Sequence, residues 1–251
     1  MPCKAPRLPY RTWQGQARGA ALTLCFWLTG HVPLALAETV PAARFTEPTT
    51  RYAHGVLGDN IEYGALELTI QSGNVTIRLP SDRVFEDLAP RLVDVDQDGT
   101  PEAIVVESQD QAGAQLAIYD ARGDKIAATP HIGTRFRWLA PVGAADLDGD
   151  GNIEIAYVDR PHLAKTLRIW RFVDGELIQI AALPRLTNHR IGEDFITGGL
   201  RDCGNGPELV VASADWREIV SIRFDNGWVQ HLVAPFSPKA MTSALNCVPS
   251  P

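Results

Sequence analysis

The stretches LVDVDQDGTPEAIVV (residues 92–106) and GAADLDGDGNIEIAYV (residues 143–158) are the most informative part of the chain. In each stretch, carboxylates occupy positions 1, 3, 5 and 9 of a nine-residue turn, and glycine occupies position 6. An apolar run typical of a buried β-strand follows each turn. A simple turn needs only one or two Asp or Gly residues, so the repetition of all five positions indicates a further role. We call these turns loop 1 (residues 94–102) and loop 2 (residues 146–154).

The acidic pattern of both loops predicts a calcium site. Calcium binds about six to eight hard oxygen ligands, whereas magnesium retains its water and prefers stricter octahedral sites. Alternate acidic side chains can turn toward one point, and glycine at position 6 permits the sharp reversal of the backbone. The alternative is a pair of solvated acidic turns without an ion. A helix–loop–helix calcium site is excluded, because its glutamate at position 12 is replaced by Val105 and Tyr157.

The two loops belong to a longer repeat. Three segments that begin at Phe85, Phe136 and Phe195 each combine such a turn with an apolar strand and a following hairpin. Four-stranded units repeated at about 50 residues are typical of propeller blades. Residues 54–80 supply a further hairpin that resembles a decayed unit. The prediction is an all-β, β-propeller-like array of about four four-stranded blades, three clear and one degenerate, with a short C-terminal helix.

Residues 1–37 are predicted to be a signal peptide that is cleaved after Ala37. Four basic residues and no acidic residue precede an apolar run that ends in the small-x-small pattern of a cleavage site. An uncleaved membrane anchor is the alternative. It is less favoured because His31 and Pro33 interrupt the run, and about 18 unbroken apolar residues are needed to span a bilayer.

The rest of the chain is predicted to divide into three segments. Residues 38–50 are rich in Pro and Thr and are expected to form a short leader. Residues 51–236 contain the repeats. Residues 237–251 are expected to form a helical tail, because Ser237 can cap a helix and Pro238 suits its first position.

The charge of the chain limits its partners. Loss of the signal peptide removes four of the 23 basic residues and none of the 30 acidic residues, which changes the formal charge from −7 to −11. Nucleic acid and anionic lipid surfaces both require clustered Lys and Arg. We therefore expect no nucleic-acid partner and no membrane insertion after cleavage.

The cysteines agree with export. Cys203 and Cys247 remain after cleavage, and an even pair in an oxidising compartment is most simply one disulfide. Two unpaired thiols are the alternative. The expected location is periplasmic or secreted.

The loops and the strands that follow them resemble the FG-GAP/VCBS repeat family, the calcium-loop β-propeller repeats of integrin α-subunit heads and secreted bacterial proteins. The resemblance covers residues 81–216, and more weakly 51–233. It implies Ca²⁺ as the bound ion. The implied ligands are Asp94, Asp96, Asp98, the Thr100 carbonyl and Glu102 in loop 1, and Asp146, Asp148, Asp150, the Asn152 carbonyl and Glu154 in loop 2.

The chain departs from that family in two respects. The third turn carries Leu200 and Gly204 in place of two ligands, so we predict no ion there. Propellers of the family usually close with about seven blades, whereas this chain has three clear units. The sequence therefore does not distinguish among a small propeller, an open array and closure by oligomerisation.

These patterns favour an exported calcium-binding repeat protein that acts as a binding or scaffolding module. Its partner would be an unidentified protein or carbohydrate, and a homo-oligomer or a larger surface complex is compatible with the sequence. No G-x-S-x-G or HExxH motif is present, so no enzyme is predicted. The tryptophans outside the signal peptide are expected to be blade-core aromatics: Trp138, Trp170, Trp216 and Trp228.

The alternative function is a calcium-dependent extracytoplasmic hydrolase or carbohydrate-active protein. Its site would lie on the blade rim, where His131 and His189 recur at equivalent repeat positions beside Arg135 and Arg190. The favoured interpretation of the two histidines is structural, with each one hydrogen-bonded to a backbone carbonyl between blades.

Overall fold

The apolar runs of the repeat form β-strands, as their pattern predicts. The computed structural model describes residues 39–248, which form three antiparallel sheets and one short C-terminal helix. The predicted signal peptide, residues 1–37, lies outside the described residues. No helix within residues 39–248 has the length and hydropathy of a membrane span.

Sheet 1 joins the degenerate unit to the first clear unit. Its strands are β1 Ala42–Thr49, β2 Glu62–Ile70, β3 Gly73–Arg78, β4 Arg83–Phe85, β5 Arg91–Val93, β6 Glu102–Gln109, β7 Gly113–Tyr119 and β8 Lys125–Ala128. The order is β1-β2-β4-β6-β7-β8, with β3 paired to β2 and β5 paired to β6. A single pair, Tyr63 with Phe85, joins β2 to β4. The two units therefore share one continuous sheet, which the repeat pattern alone did not predict.

Sheets 2 and 3 follow the predicted units more closely. Sheet 2 has four strands in the order β12-β11-β10-β9, and sheet 3 has the order β13-β15-β16-β17 with β14 paired to β15. The bounds are β9 Leu139–Ala145, β10 Glu154–Asp159, β11 Thr166–Val173, β12 Glu176–Pro184, β13 Leu186–Thr187, β14 Gly199–Asp202, β15 Pro207–Ser213, β16 Glu218–Phe224 and β17 Trp228–Pro235, with helix α1 at Pro238–Leu245.

Strand β1 occupies most of residues 38–50, the segment predicted to be a leader. This strand pairs with β2 from Ala42 opposite Thr69 to Thr49 opposite Glu62. Its Pro and Thr content suggested an irregular segment, yet β1 is an edge strand, where proline is tolerated. Sheet 1 therefore includes residues that precede residue 51.

Strand β10 of sheet 2 is buried on both faces. Successive residues of a strand point to opposite sides. Ile155 and Tyr157 lie in a core shared with sheet 1, whereas Ala156 and Val158 lie in a core shared with sheet 3. Strands covered on both sides have nearly continuous apolar sequences, which explains the run IEIAYV. The three sheets therefore stack face to face in chain order.

The outer faces of the stack are also covered. Leu66 and Leu68 of β2 pack with Val105 in a core on the outer side of sheet 1. At the opposite end, Met241 of α1 packs with Val210 of sheet 3. Within residues 39–248, apolar contacts therefore also lie on the outer sides of sheets 1 and 3.

Helix α1 begins where the sequence predicts. Ser237 Oγ accepts a hydrogen bond from the Ala240 amide at 3.1 Å, and Pro238 occupies the first turn. Beyond the helix, Cys247 forms a disulfide with Cys203, which confirms the predicted pairing. The bond holds the helix against sheet 3.

Three of the four tryptophans are core residues, as predicted. Trp138 and Trp170 lie in the core between sheets 1 and 2, and Trp228 packs against the core between sheets 2 and 3. Trp216 differs. Its ring lies edge-on to Phe236, with the ring centroids 4.9 Å apart.

Candidate metal centre

Loop 1 connects β5 to β6 and gathers its carboxylates at one point. One carboxylate oxygen from each of Asp94, Asp96 and Glu102 lies within 4.8 Å of the others. The backbone reverses at Gly99, whose φ of +93° is strained for other residues. The predicted ligand Asp98 is not part of this close group, although it lines the same cavity.

Each acidic side chain of loop 1 uses one oxygen to hold the turn. These oxygens accept hydrogen bonds from backbone amides, as expected of Asx-type turns. The bonds run from Gly99 N to Asp94 Oδ2 (3.0 Å), from Asp98 N to Asp96 Oδ1 (3.2 Å), from Thr100 N to Asp98 Oδ1 (2.7 Å) and from Val95 N to Glu102 Oε2 (2.8 Å).

The second oxygens of loop 1 lack partners. Asp94 Oδ1 is buried without a hydrogen-bond partner. The remaining oxygens of Asp96, Asp98 and Glu102 form no hydrogen bond or ion pair with any residue in the range 39–248. Burial raises the pKa of Glu102 to about 7, and the charges of the neighbouring aspartates add to the rise. These four oxygens suit a bound cation.

Loop 2 connects β9 to β10 and repeats the same backbone bonds. Carboxylate oxygens of Asp146, Asp148 and Glu154 lie within 4.8 Å of one another. Amides of the turn donate to one oxygen of each acidic side chain. The bonds run from Gly151 N to Asp146 Oδ2 (3.1 Å), from Asp150 N to Asp148 Oδ1 (3.3 Å), from Asn152 N to Asp150 Oδ1 (2.8 Å) and from Leu147 N to Glu154 Oε2 (2.8 Å).

A guanidinium binds the second oxygens of loop 2. Arg171 of β11 stands opposite Glu154 in the strand register. It pairs with Asp148 Oδ2, with Asp150 Oδ2 at 2.7 Å and with Glu154 Oε1 at 2.6 Å. These oxygens correspond to the unpaired oxygens of Asp96, Asp98 and Glu102 in loop 1. The counterpart of Asp94 Oδ1 is Asp146 Oδ1, which accepts a hydrogen bond from Gly149 N at 2.7 Å instead. Arg171 therefore supplies a positive charge where loop 1 has none.

The corresponding position in sheet 1 is acidic. Ala103 pairs with Tyr119, so the next residue, Asp120, lies beside Glu102. Asp120 lines the same cavity as the loop 1 carboxylates and forms an ion pair with Arg122 at 2.7 Å. The two loops therefore share one backbone design but differ in how their charge is balanced.

The two loops also touch. The side-chain amide of Gln97 in loop 1 donates a hydrogen bond to the carbonyl of Gly151 in loop 2. Gln97 itself adopts a left-handed backbone conformation, with φ of 61°. A direct hydrogen bond therefore connects the two loops.

The third turn has a different chemistry. Arg201 pairs with Glu208 at 2.7 Å, and Asp202 Oδ1 accepts a hydrogen bond from Gly204 N at 2.7 Å. The expected lack of an ion in this turn stays a prediction.

The two repeat histidines bind backbone carbonyls, as the favoured interpretation predicts. His131 Nδ1 lies 2.9 Å from the Gly113 carbonyl oxygen, and His189 Nε2 lies 3.0 Å from that of Glu193. His131 lies in the connection from sheet 1 to sheet 2, whereas His189 and Glu193 both lie in the β13–β14 connection of sheet 3.

The arginines of the alternative rim site are held by aromatic rings. The Arg135 guanidinium lies 4.8 Å from the Phe136 ring centroid and 5.3 Å from that of Tyr52. The Arg190 guanidinium lies 4.0 Å from the Trp216 ring centroid. Cation–π contacts of this kind stabilise the fold.

Sequence reasoning missed a second group of ionisable residues. Glu86 is fully buried and accepts hydrogen bonds from Ser108 Oγ and from His54 Nδ1, the latter at 2.5 Å. Burial raises the pKa of Glu86. The partners lie 22 and 32 residues from Glu86 in sequence, so no local motif could have revealed them.

Glu62 is buried near Glu86, and the burial of its carboxyl group predicts that the stability of the protein depends on pH. Burial raises its pKa from 4.5 to about 9, and the charges of Glu86 and Asp59 add to the rise. The folded protein thus retains a proton that the unfolded chain loses. The stability from protonated Glu62 is complete below about pH 4.5 and is lost as the pH rises toward 9.

Replacing Glu62 by glutamine is therefore expected to flatten the dependence of the unfolding free energy on pH. Urea denaturation between about pH 5 and pH 9 measures this slope. Glu176→Gln, a change at an exposed strand residue, is the control and should keep the wild-type slope. An unchanged slope in Glu62→Gln would contradict the assignment.

The fold and the loops define an all-β repeat protein with acidic turns between paired strands. Residues 94–157 match the family described as FG-GAP-like repeat. The match spans both acidic loops and extends into β10. The chain therefore carries an FG-GAP-like repeat, which confirms the resemblance for these residues. The chain has no match among curated proteins.

Proposed function

We propose that the protein is an exported calcium-binding repeat protein that serves as a binding or scaffolding module. The carrying observation is the contrast between the loops. Arg171 binds one oxygen each of Asp148, Asp150 and Glu154 in loop 2. The equivalent oxygens of Asp96, Asp98 and Glu102 in loop 1 have no partner among residues 39–248. A cation at loop 1 would bind these carboxylate oxygens, as the Arg171 guanidinium binds their counterparts in loop 2.

Loop 1 has the donor set for calcium. Asp94, Asp96, Asp98 and Glu102 would supply carboxylate oxygens, and Thr100 would supply its carbonyl oxygen. All are hard oxygen donors, which calcium prefers. When bound, the ion would neutralise the repulsion among the carboxylates and tie β5 to β6. The buried, unpaired Asp94 Oδ1 supports this fit.

Loop 2 has the same donor types but already contains a counter-charge. We propose that Asp146, Asp148, Asp150, Glu154 and the Asn152 carbonyl bind calcium only in competition with Arg171. The affinity of loop 2 should therefore be lower than that of loop 1.

We also propose that the three sheets are the blades of a propeller-like array. Their face-to-face stacking in chain order and the coverage of both outer faces support a short array. The basic and apolar start of the sequence and the disulfide support export to an oxidising compartment. The partner would be a protein or a carbohydrate. We propose no catalytic role.

Calcium is expected to raise the melting temperature. At a free concentration of about 100 times Kd, binding to the folded state stabilises by about 2.7 kcal/mol. For a chain of this size that corresponds to a rise of about 5–10 °C. Asp94→Asn should remove most of the rise, whereas Asp146→Asn at the equivalent position of loop 2 should leave most of it.

Thermal unfolding followed by circular dichroism, in calcium and in EGTA, measures these shifts. Glu176→Gln again serves as the control for loss of one surface charge. Isothermal titration should give one strongly bound calcium per chain. A melting temperature indifferent to EGTA, or a full response in the Asp94→Asn and Asp146→Asn double variant, would exclude the proposal.

A further inference from the structure

A small recess lies where connections from different sheets meet. It offers about 40 Å³ and is lined by His54 from the β1–β2 connection and His162 from the β10–β11 connection. Trp138 and Arg137, which lead into β9, form another wall. His189, which follows β13 of sheet 3, contacts His162 through its Nδ1 atom, which lies 2.9 Å from His162 Nε2. This volume holds an ion with one or two water molecules.

The hydrogen bonds of His189 fix the state of His162. His189 Nε2 lies 3.0 Å from the Glu193 carbonyl oxygen, which can only accept, so Nε2 carries a proton. In the neutral His189 ring, Nδ1 therefore has the lone pair. His162 Nε2 donates to that lone pair at 2.9 Å.

This arrangement leaves His162 Nδ1 as an acceptor. A neutral imidazole has one donor and one acceptor nitrogen, and the donor Nε2 is used by His189. No residue in the range 39–248 donates a hydrogen bond to His162 Nδ1. His162 Nδ1 therefore has a free lone pair, and it lies on the side of the ring that does not contact His189. The His162 ring lines the recess.

His54 is oriented by a buried carboxylate. Its Nδ1 lies 2.5 Å from Glu86 Oε1, and the other oxygen of Glu86 accepts a hydrogen bond from Ser108 Oγ. With Nδ1–H donating to Glu86, Nε2 presents its lone pair. The ring is also stacked on Phe136, with centroids 4.8 Å apart, so its orientation is constrained.

Both imidazoles therefore have the support that metal-binding histidines have. Such histidines donate their second ring N–H to a carboxylate or another acceptor, which fixes the ring and its tautomer. Here the acceptors are the Glu86 carboxylate and the His189 ring. Both residues line the recess, and neither His54 Nε2 nor His162 Nδ1 receives a hydrogen bond from residues 39–248.

Charges of both signs surround the recess. Arg160 pairs with Asp159 at nitrogen–oxygen distances of 2.7 and 3.1 Å, and Asp159 also pairs with Arg168 at 2.9 Å. Glu86 lies directly behind His54. Arg137 opposes a cation, but it is an exposed side chain that can turn toward solvent.

We propose that His54 Nε2 and His162 Nδ1 together bind a divalent transition-metal ion such as Zn²⁺, with Glu86 and His189 orienting the two rings. Imidazole nitrogen suits zinc, copper and nickel, whereas calcium prefers oxygen. The site is therefore chemically distinct from the acidic loops. Water would complete the coordination shell.

Titration of the full protein with Zn²⁺ in excess calcium tests this site, because calcium then occupies the oxygen ligands of the loops. One Zn²⁺ should bind per chain. His54→Ala and His162→Ala should each lower the association constant at least about tenfold, since each removes one of two protein ligands. Glu86→Gln should lower it about 10–100-fold, as expected for loss of an orienting carboxylate. His131→Ala, a histidine bonded to a backbone carbonyl elsewhere, should bind as the wild type does.

Electron paramagnetic resonance of Cu²⁺ bound to the wild type gives a readout that requires no variant. The wild type should show coupling to two imidazole nitrogens. Failure of the wild type to bind Zn²⁺ saturably, or equal loss in His131→Ala, would overturn the proposal. So would binding of inorganic phosphate that is lost in Arg137→Gln, because the recess would then be an anion site.

Discussion

Replacing Arg171 by glutamine is expected to lower the free energy of unfolding by about 3 kcal/mol in calcium-free solution. Removal of one partner from a buried ion pair costs about 3–5 kcal/mol, and partial exposure of the guanidinium favours the lower end. The side chain of Glu154 is fully buried, and Asp148 is nearly so. Without Arg171, both carboxylates would lose their counter-charge.

Calcium should reverse this loss. With the guanidinium gone, an ion can take its place between Asp148, Asp150 and Glu154. Isothermal titration of Arg171→Gln should therefore show a second strongly bound calcium. Urea denaturation in EGTA and in calcium measures both effects.

The control is Arg217→Gln. Its side chain is 84% exposed and pairs with Asp215 at only 3.4 Å. An exposed pair of this kind contributes at most about 1 kcal/mol. Equal destabilisation of Arg171→Gln with and without calcium would show that the arginine acts only as a structural partner and not in place of an ion.

Loss of the disulfide is expected to cost about 4 kcal/mol. The bond closes a loop of 44 residues, and the chain-entropy relation gives this value for a loop of that length. The Cys203→Ser and Cys247→Ser double variant should also loosen α1, because Cys247 follows the helix directly. Denaturant midpoints of the variant and the wild type give the difference.

Lys239→Ala tests whether any change in α1 has the same consequence. Lys239 is exposed on the helix, so its replacement should alter stability by less than about 0.5 kcal/mol. If the double cysteine variant were as stable as the wild type, the docking of α1 would depend on its apolar contacts and on the Arg201 hydrogen bond to the Ala244 carbonyl (2.6 Å) instead.

The acidic loops could be predicted because their chemistry is local. Carboxylate spacing and a glycine within nine residues specify a turn with converging oxygens, and the structure brings Asp94, Asp96 and Glu102 together accordingly. The helix start and the disulfide were also predictable, since a capping serine and an even pair of cysteines are visible in sequence.

The features that sequence reasoning missed depend on strand register or on distant contacts. Arg171 lies 17 residues from Glu154 and meets it only because β10 and β11 pair in one register. His54 and His162 come from connections in different sheets, so no spacing rule joins them. Strand β1 was not predicted, because a segment rich in Pro and Thr does not have the composition typical of a strand and its pairing with β2 depends on a distant part of the chain.

The coverage of both outer faces constrains how such a chain can lengthen during evolution. A duplicated unit inserted between sheets 2 and 3 could pack its two faces against the apolar surfaces of those sheets. A unit appended beyond residue 248 would meet a docking face on sheet 3 that Met241 and Ala244 of α1 already occupy. Growth by internal duplication is thus compatible with this architecture, whereas growth at the carboxyl end requires the helix to be displaced first.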